Sequence, residues 1–137
     1  MSSRASHRDA PATAATQLPG VAVVAIGLNE EARLEACLAA ARRALDCAAS
    51  AGLCASGGGL VYVDSGSTDA SVAIARGAGA RVLQLQPDER GRCNAGMARA
   101  AGTAATTAPV LLYLDGDTVI EPVWLARALR FLAEKPE

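Results

Sequence analysis

"VAVVAIGL", residues 21–28, decides the fold of this chain. Its valines and isoleucine run without polar interruption, the signature of a strand covered on both faces. Such a strand needs helices packed above and below it, and the residues that follow supply the first. Asn29 offers an N-cap, and Glu30 and Glu31 put negative charge in a first turn, where the helix dipole favours it. Leu34, Leu38, Ala41, Leu45 and Ala48 then recur at spacings of three and four, which predicts one apolar helical stripe. Gly52 can stop that helix, and "SGGG" (56–59) is a turn.

The alternation continues to the end of the chain. "LVYV" (60–63) predicts a second strand that breaks abruptly into "DSGSTD" (64–69). Ser67 or Thr68 can cap a helix running to about Arg76, with Gly77 and Gly79 beyond it. "RVLQLQ" (81–86) predicts a third strand nearer an edge, and a third helix is expected over 92–101, closing at Gly102. "TAATTAP" (103–109) leads into a fourth strand at 110–114. Pro122 suits the first turn of a last helix whose Leu125, Leu129 and Leu132 face the core and which Pro136 ends. Four strands alternating with four helices, without a hairpin signal, predict a parallel, right-handed, three-layer α/β/α sandwich of Rossmann-like type.

Bulk properties narrow the function. The 137 residues have room for one core, and a net charge of -1 gives no reason to expect a nucleic-acid partner. No apolar run approaches the ~20 residues of a transmembrane helix. Residues 1–20 hold no apolar stretch that could act as a signal peptide and predict a disordered tail, which leaves 21–137 as the domain. Cys37, Cys47, Cys54 and Cys93 form no CxxC pair, and the single histidine, His7, lies in the tail, so no zinc site is expected. Free thiols fit a reducing cytosol, either free in it or peripheral to the inner face of the membrane.

In open parallel sheets, ligands bind beyond the carboxyl ends of the strands. Asn29 and Glu30 follow the first strand, Asp64 the second, Asp88 and Glu89 the third, and Asp115 and Asp117 the fourth. Acidic groups thus gather on one rim, most sharply in "VLLYLDGDTVIEP" (110–122), where two carboxylates stand one residue apart. At roughly 6 Å and an effective dielectric of about 20, their repulsion is ~3 kcal/mol. In open water it falls below about 1 kcal/mol, and a cation between them turns the cost into a binding site. Carboxylates repel bare phosphates, but they accept hydrogen bonds from ribose, sugar hydroxyls and the N–H edge of a base. Mg²⁺ is commonly held by one or two carboxylates together with phosphate oxygens. A nucleoside diphosphate bridged by a divalent cation meets all of these conditions.

The blocks "VAIGLNEEARLEACLAA", "VYVDSGSTDASVAIARGAGARVLQL", "GRCNAGMARAAG" and "VLLYLDGDTVIEPVWLARAL" resemble, in order and spacing, the family-two glycosyltransferases of GT-A fold, over about residues 21–134. The resemblance implies transfer of a sugar, with inversion, from a nucleoside-diphosphate sugar donor to an acceptor whose nature it leaves open. It implies that Asp64 accepts from the base ring and that Glu30 lines the nucleotide pocket. Asp115 would contact the ribose or the metal, and Asp117 would ligate Mn²⁺ or Mg²⁺. Arg92 and Asn94 would face the diphosphate or the donor sugar.

The chain departs from the family pattern at three points. Where many relatives read P-x-Y-N-E, this chain has Ile26-Gly27-Leu28-Asn29-Glu30, without the aromatic residue that could pack on a base. Cys93 stands where many relatives carry an arginine before the asparagine of the third helix. The sequence also ends one helix after the paired aspartates. The general base that must reach an acceptor hydroxyl is therefore expected beyond residue 137, and the domain is expected to be cut short. On that count the alternative is a nucleotide-sugar-binding module without turnover. "LLYLDGDTV" also fits the D-x-D motif of haloacid-dehalogenase-type phosphatases, but there the motif follows the first strand. A Rossmann dehydrogenase fares no better, because no G-x-G-x-x-G opens the first helix.

Overall fold

Four strands form where the apolar runs predict them: β1 (Val21–Gly27), β2 (Gly59–Asp64), β3 (Arg81–Gln84) and β4 (Val110–Asp115). Between and after them lie α1 (Leu34–Ser50), α2 (Ser71–Gly77), α3 (Ala95–Ala104) and α4 (Trp124–Glu134). The structure, a computed structural model, describes residues 17–135. His7, most of the expected tail and Pro136 lie outside the described residues. The sheet order is β3-β2-β1-β4, with every neighbouring pair parallel.

β1 is central because it is apolar on both faces, and the two faces feed separate cores. Val21, Val23 and Ala25 pack with Leu34, Leu38 and Leu45 of α1, Ala75 of α2, and Leu125 and Leu129 of α4. Val24 and Ile26 pack on the opposite side with Val61, Val63 and Ala98 of α3. The three layers are therefore unequal, with three helices on one face and α3 alone on the other.

The helices end as glycine placement predicts. At the end of α1, Gly52 takes φ 74° while Leu53 N–H bonds Ala48 O and Gly52 N–H bonds Ala49 O, both at 3.0 Å. The end of α2 repeats the arrangement, with Gly79 at φ 80° and Ala80 N–H on Ala75 O at 3.1 Å. These paired bonds satisfy the last carbonyls of each helix and turn the chain back into β2 and β3.

Gly102 departs from expectation. It lies inside α3 rather than after it, because Asn94 starts the helix late and the helix continues to Ala104. A Cβ at Gly102 would collide with Val24 Cγ1 and stand 3.2 Å from Val63 Cγ2. The missing side chain is what lets α3 lie close on its face of the sheet. Gly102→Ala is expected to cost about 1–3 kcal/mol by overpacking. In urea denaturation, adding Val24→Ala should leave the double variant more stable than the sum of the two single losses allows.

The last helix also differs. Leu125 and Leu129 are buried, but Leu132 is exposed, as are Trp124 and Tyr113. Among the described residues β4 pairs only with β1, so the outer margin of α4 and β4 has nothing to pack against. Trp124 lies on that margin beside Val119 and Glu121.

All four cysteines are free, with Cys37 and Cys54 buried and Cys47 and Cys93 half-buried. Burial pushes the thiol of Cys37 up to about 11, and the carboxylates of Asp117, Glu30 and Asp115 above it add to the effect. Burial also raises Cys54. A thiol-specific disulfide reagent at pH 8 is expected to consume Cys47 and Cys93 quickly, and Cys37 and Cys54 only as the protein unfolds. Four equally fast thiols would contradict this packing.

Candidate functional site

The turn after β2 is organised by one buried carboxylate. Asp64 is 1% exposed, and all the hydrogen bonds of its carboxylate are local. Oδ1 accepts from the Tyr62 hydroxyl at 2.9 Å and the Ser67 hydroxyl at 2.6 Å. Oδ2 accepts from the N–H groups of Gly66 at 3.1 Å and Ser67 at 2.7 Å. A carboxylate has about four acceptor positions, and here all are taken. Asp64, expected to accept from a base ring, therefore stands beneath the rim, where it shapes the D-S-G-S turn. That turn sets Ser65, whose N–H bonds Gly27 O at 3.0 Å, at the mouth of the rim.

The loop after β1 does not start a helix, as Asn29 as an N-cap would require. Asn29 instead takes the left-handed φ of 54°, and α1 begins five residues later with no side-chain cap. Asparagine tolerates that conformation better than most residues, and here a clasp across to the second loop holds it. Asn29 N–H donates to Ser67 Oγ, and Asn29 Oδ1 accepts from Thr68 N–H, each at 2.8 Å. Next along, Glu30 N–H donates to Ser71 Oγ at 2.9 Å and Glu31 N–H to Asp69 Oδ2 at 3.1 Å. Glu31 Oε1 accepts from Ala70 N–H at 3.0 Å, so Glu31 is a cross-loop strut rather than a charge in the first turn of α1. Asp69 also accepts from Ser71 N–H at 2.9 Å, while α2 starts with neither Ser67 nor Thr68 as its cap. Hydrogen bonding from the Ser71 side chain is the main cause that holds Asp69 below the usual carboxylate range. The clasp consequently persists through mildly acidic pH and loosens only as pH falls through that lowered value.

The turn after β4 is tied to the end of β1. Gly116 N–H bonds Ile26 O at 2.8 Å, and a Cβ there would crowd that same oxygen at 3.2 Å and Glu30 Cγ at 3.3 Å. Asp115 and Asp117 project on either side of this anchor, and each meets an arginine. Arg99 Nη2 of α3 donates to Asp115 Oδ1 at 3.2 Å, while Arg33 Nη1, just before α1, stands 3.8 Å from Asp117 Oδ2.

These loops enclose a cleft of about 300 Å³ lined by Glu30, Ser65, Asp115 and Asp117, with Cys93, Asn94 and Ala95 also on its wall. The second group is the N-terminus of α3. Asn94 caps it, accepting from Met97 N–H at 2.8 Å, and Asn94 and Ala95 place the start of the helix, with its unpaired first N–H groups, at the cleft. The cleft thus has an acidic side that suits hydroxyls and cations and a helix N-terminus that suits phosphate. This resolves how a carboxylate-rich rim can also accept an anion.

Of the expected site residues, the structure brings together Glu30, Asn94, Asp115 and Asp117. Arg92 is outside the cleft: its N–H bonds Asp88 Oδ1 at 2.8 Å and its Nε lies 3.4 Å from Asp88 Oδ2, closing a tight loop over 88–92. Ser65, Arg33 and Arg99 were not singled out in the sequence. Only Ser65 carried a usable signal, its place in the D-S-G-S turn.

Asp115 and Asp117 offer oxygen ligands alone, on a turn fixed by backbone bonds, which fits a hard divalent cation that completes its shell with phosphate and water. Among the described residues no group of three or more histidine, cysteine, aspartate or glutamate side chains could hold a metal by itself. A cation there would need further ligands from outside these side chains.

The sequence profile of glycosyl transferase family 2 matches residues 22–137. Glucosyl-3-phosphoglycerate synthase of Mycobacterium tuberculosis is similar in structure, with 27% identity and a TM-score of 0.57 over 77% of this chain and 37% of that one. A structure of the same enzyme holding Mn²⁺, uridine diphosphate and glucosyl-3-phosphoglycerate has 26% identity and a TM-score of 0.56, over 77% of this chain and 36% of that one. TarS of S. aureus shares the fold, with 21% identity and a TM-score of 0.64 over 84% of this chain and 32% of that one. The chain therefore spans about a third of the length of these structures. No curated protein sequence matches it.

Proposed function

The chain belongs to glycosyl transferase family 2, and from that premise we propose that its cleft binds a nucleoside-diphosphate sugar. The sugar is then transferred, with inversion, to an acceptor. The observation that carries this reading is the cleft itself, with carboxylates on one wall and the N-terminus of α3 on the other. The synthase similar to this chain has been solved with uridine diphosphate and Mn²⁺ or Mg²⁺, which supports the same donor class here.

Asp115 and Asp117 would hold a divalent cation, which when bound would neutralise a pyrophosphate leaving group. Glu30, packed over Gly27 and Gly116, accepts from donor hydroxyls. The N–H groups of α3 orient the phosphates, and Asn94 keeps them aimed by capping the helix. Asp64 acts from below by holding the turn on which Ser65 meets the nucleoside. Among the described residues, no helix is long and apolar enough to cross a membrane.

Isothermal titration calorimetry of the 137-residue chain tests the reading. Uridine diphosphate is expected to bind in the presence of Mn²⁺ and to bind far more weakly with a chelator. A chain that binds no nucleoside diphosphate in either condition refutes it.

A further inference from the structure

Two of the three ion pairs among the described residues end on the paired aspartates, and they arrive from different elements. Arg33 precedes α1 and Arg99 lies on α3, so the two guanidinium groups flank the D-G-D turn from opposite sides. Resting on the proposed function, we propose that Arg33 and Arg99 are stand-in cations that exchange roles with the metal. In the metal-free protein they neutralise Asp117 and Asp115, and on metal binding they turn to the donor's diphosphate.

The charge arithmetic favours the exchange. Two guanidinium groups carry the same charge as one divalent ion, so replacing them at the carboxylates leaves the acidic pair neutralised. Exposed ion pairs are weak and screened, and these are exposed, with side chains 69% and 43% accessible in the Arg33–Asp117 pair and 44% and 61% in the Arg99–Asp115 pair. Displacing them is therefore cheap. Guanidinium is also suited to the second role, because its fork of donors matches phosphate oxygens. Arg99 projects from the helix whose N-terminus lines the cleft, so it needs no large backbone movement to reach a diphosphate there. The notional cost of keeping Asp115 and Asp117 side by side is thus offset before any ligand arrives.

The test separates the two roles by their opposite signs. Wild type, Arg33→Gln, Arg99→Gln and the double variant are titrated with Mn²⁺ alone, read by the electron paramagnetic resonance of free Mn²⁺. They are then titrated with uridine diphosphate at saturating Mn²⁺, read by calorimetry. The double variant is expected to bind Mn²⁺ alone about three- to tenfold more tightly, since competing positive charge is gone. It is expected to bind uridine diphosphate about tenfold more weakly. Thermal melts close to wild type confirm that the exposed changes leave the fold intact. Variants that match wild type in both titrations, or that weaken both, overturn the exchange. A wild type that binds neither probe overturns the proposed function instead, and the exchange with it.

Discussion

Replacing Asp64 with alanine is expected to destabilise the protein by about 3–5 kcal/mol. The reason lies in what the carboxylate leaves behind. Two backbone N–H groups, the Ser67 hydroxyl and the buried Tyr62 hydroxyl all lose their acceptor together. Tyr62 is wholly buried, so no water replaces that partner at its end. Tyr62→Phe removes one donor and keeps the rest of the network, so it should cost only about 1 kcal/mol. Urea denaturation of the two variants measures the difference. An Asp64→Ala protein within 1 kcal/mol of wild type would show that the turn does not depend on this carboxylate. The same burial, followed by the hydrogen bond to Asp64, raises the Tyr62 phenol above its ordinary 10.0. Its neutral form contributes stability that is fully present below pH 10 and is lost as pH rises through the raised value, so alkaline unfolding should accompany its ionisation.

The second large effect concerns ligand rather than fold. Asp117→Asn keeps the side chain's shape but removes an anionic oxygen, so metal-dependent binding of uridine diphosphate should weaken on the order of a hundredfold. Binding measured in a chelator should change little, since no cation is then involved. Stability should barely move, because Arg33 and Arg99 already offset the repulsion between the two aspartates. Calorimetry of both proteins, with and without Mn²⁺, reads all three quantities. If the variant keeps both the affinity and the metal dependence of wild type, the D-G-D turn does not hold a cation for this ligand.

Periodicity made the architecture legible. The uninterrupted run at 21–28, the stripe from Leu34 to Ala48 and the glycines past α1 and α2 are local signals, and the structure follows each of them. Several of the failures involve partners distant in sequence. Asn29 has every local mark of an N-cap, yet its side chain is taken by Thr68 from another loop. Gly102 looks like a helix stop because its neighbours in sequence do not reveal that Val24 lies against it. Leu132 continues the spacing of Leu125 and Leu129, but spacing cannot show that it stays exposed among the described residues. In the site, acidic residues were readable from their place after each strand, since strand ends define the rim. Which carboxylate would be consumed internally, as Asp64 is, and which would face the cleft depended on hydrogen bonds that periodicity does not encode. Arg33 and Arg99 were invisible for the same reason.

The strand order has a consequence in time. Val23 of β1 sits beside Leu60 on one side and Leu112 on the other, so its first neighbour emerges from synthesis long before its second. Closing a longer loop costs more entropy, and distant pairings form later. The nascent chain can therefore join β1, β2 and β3 and fasten Asn29 to Thr68 while β4 is still unmade. The aspartate pair arrives with β4, so the D-G-D turn joins the described rim after the other loops. Pulse-labelled hydrogen exchange during refolding should find amides of β1 and β2 protected before those of β4, and simultaneous protection would contradict this order.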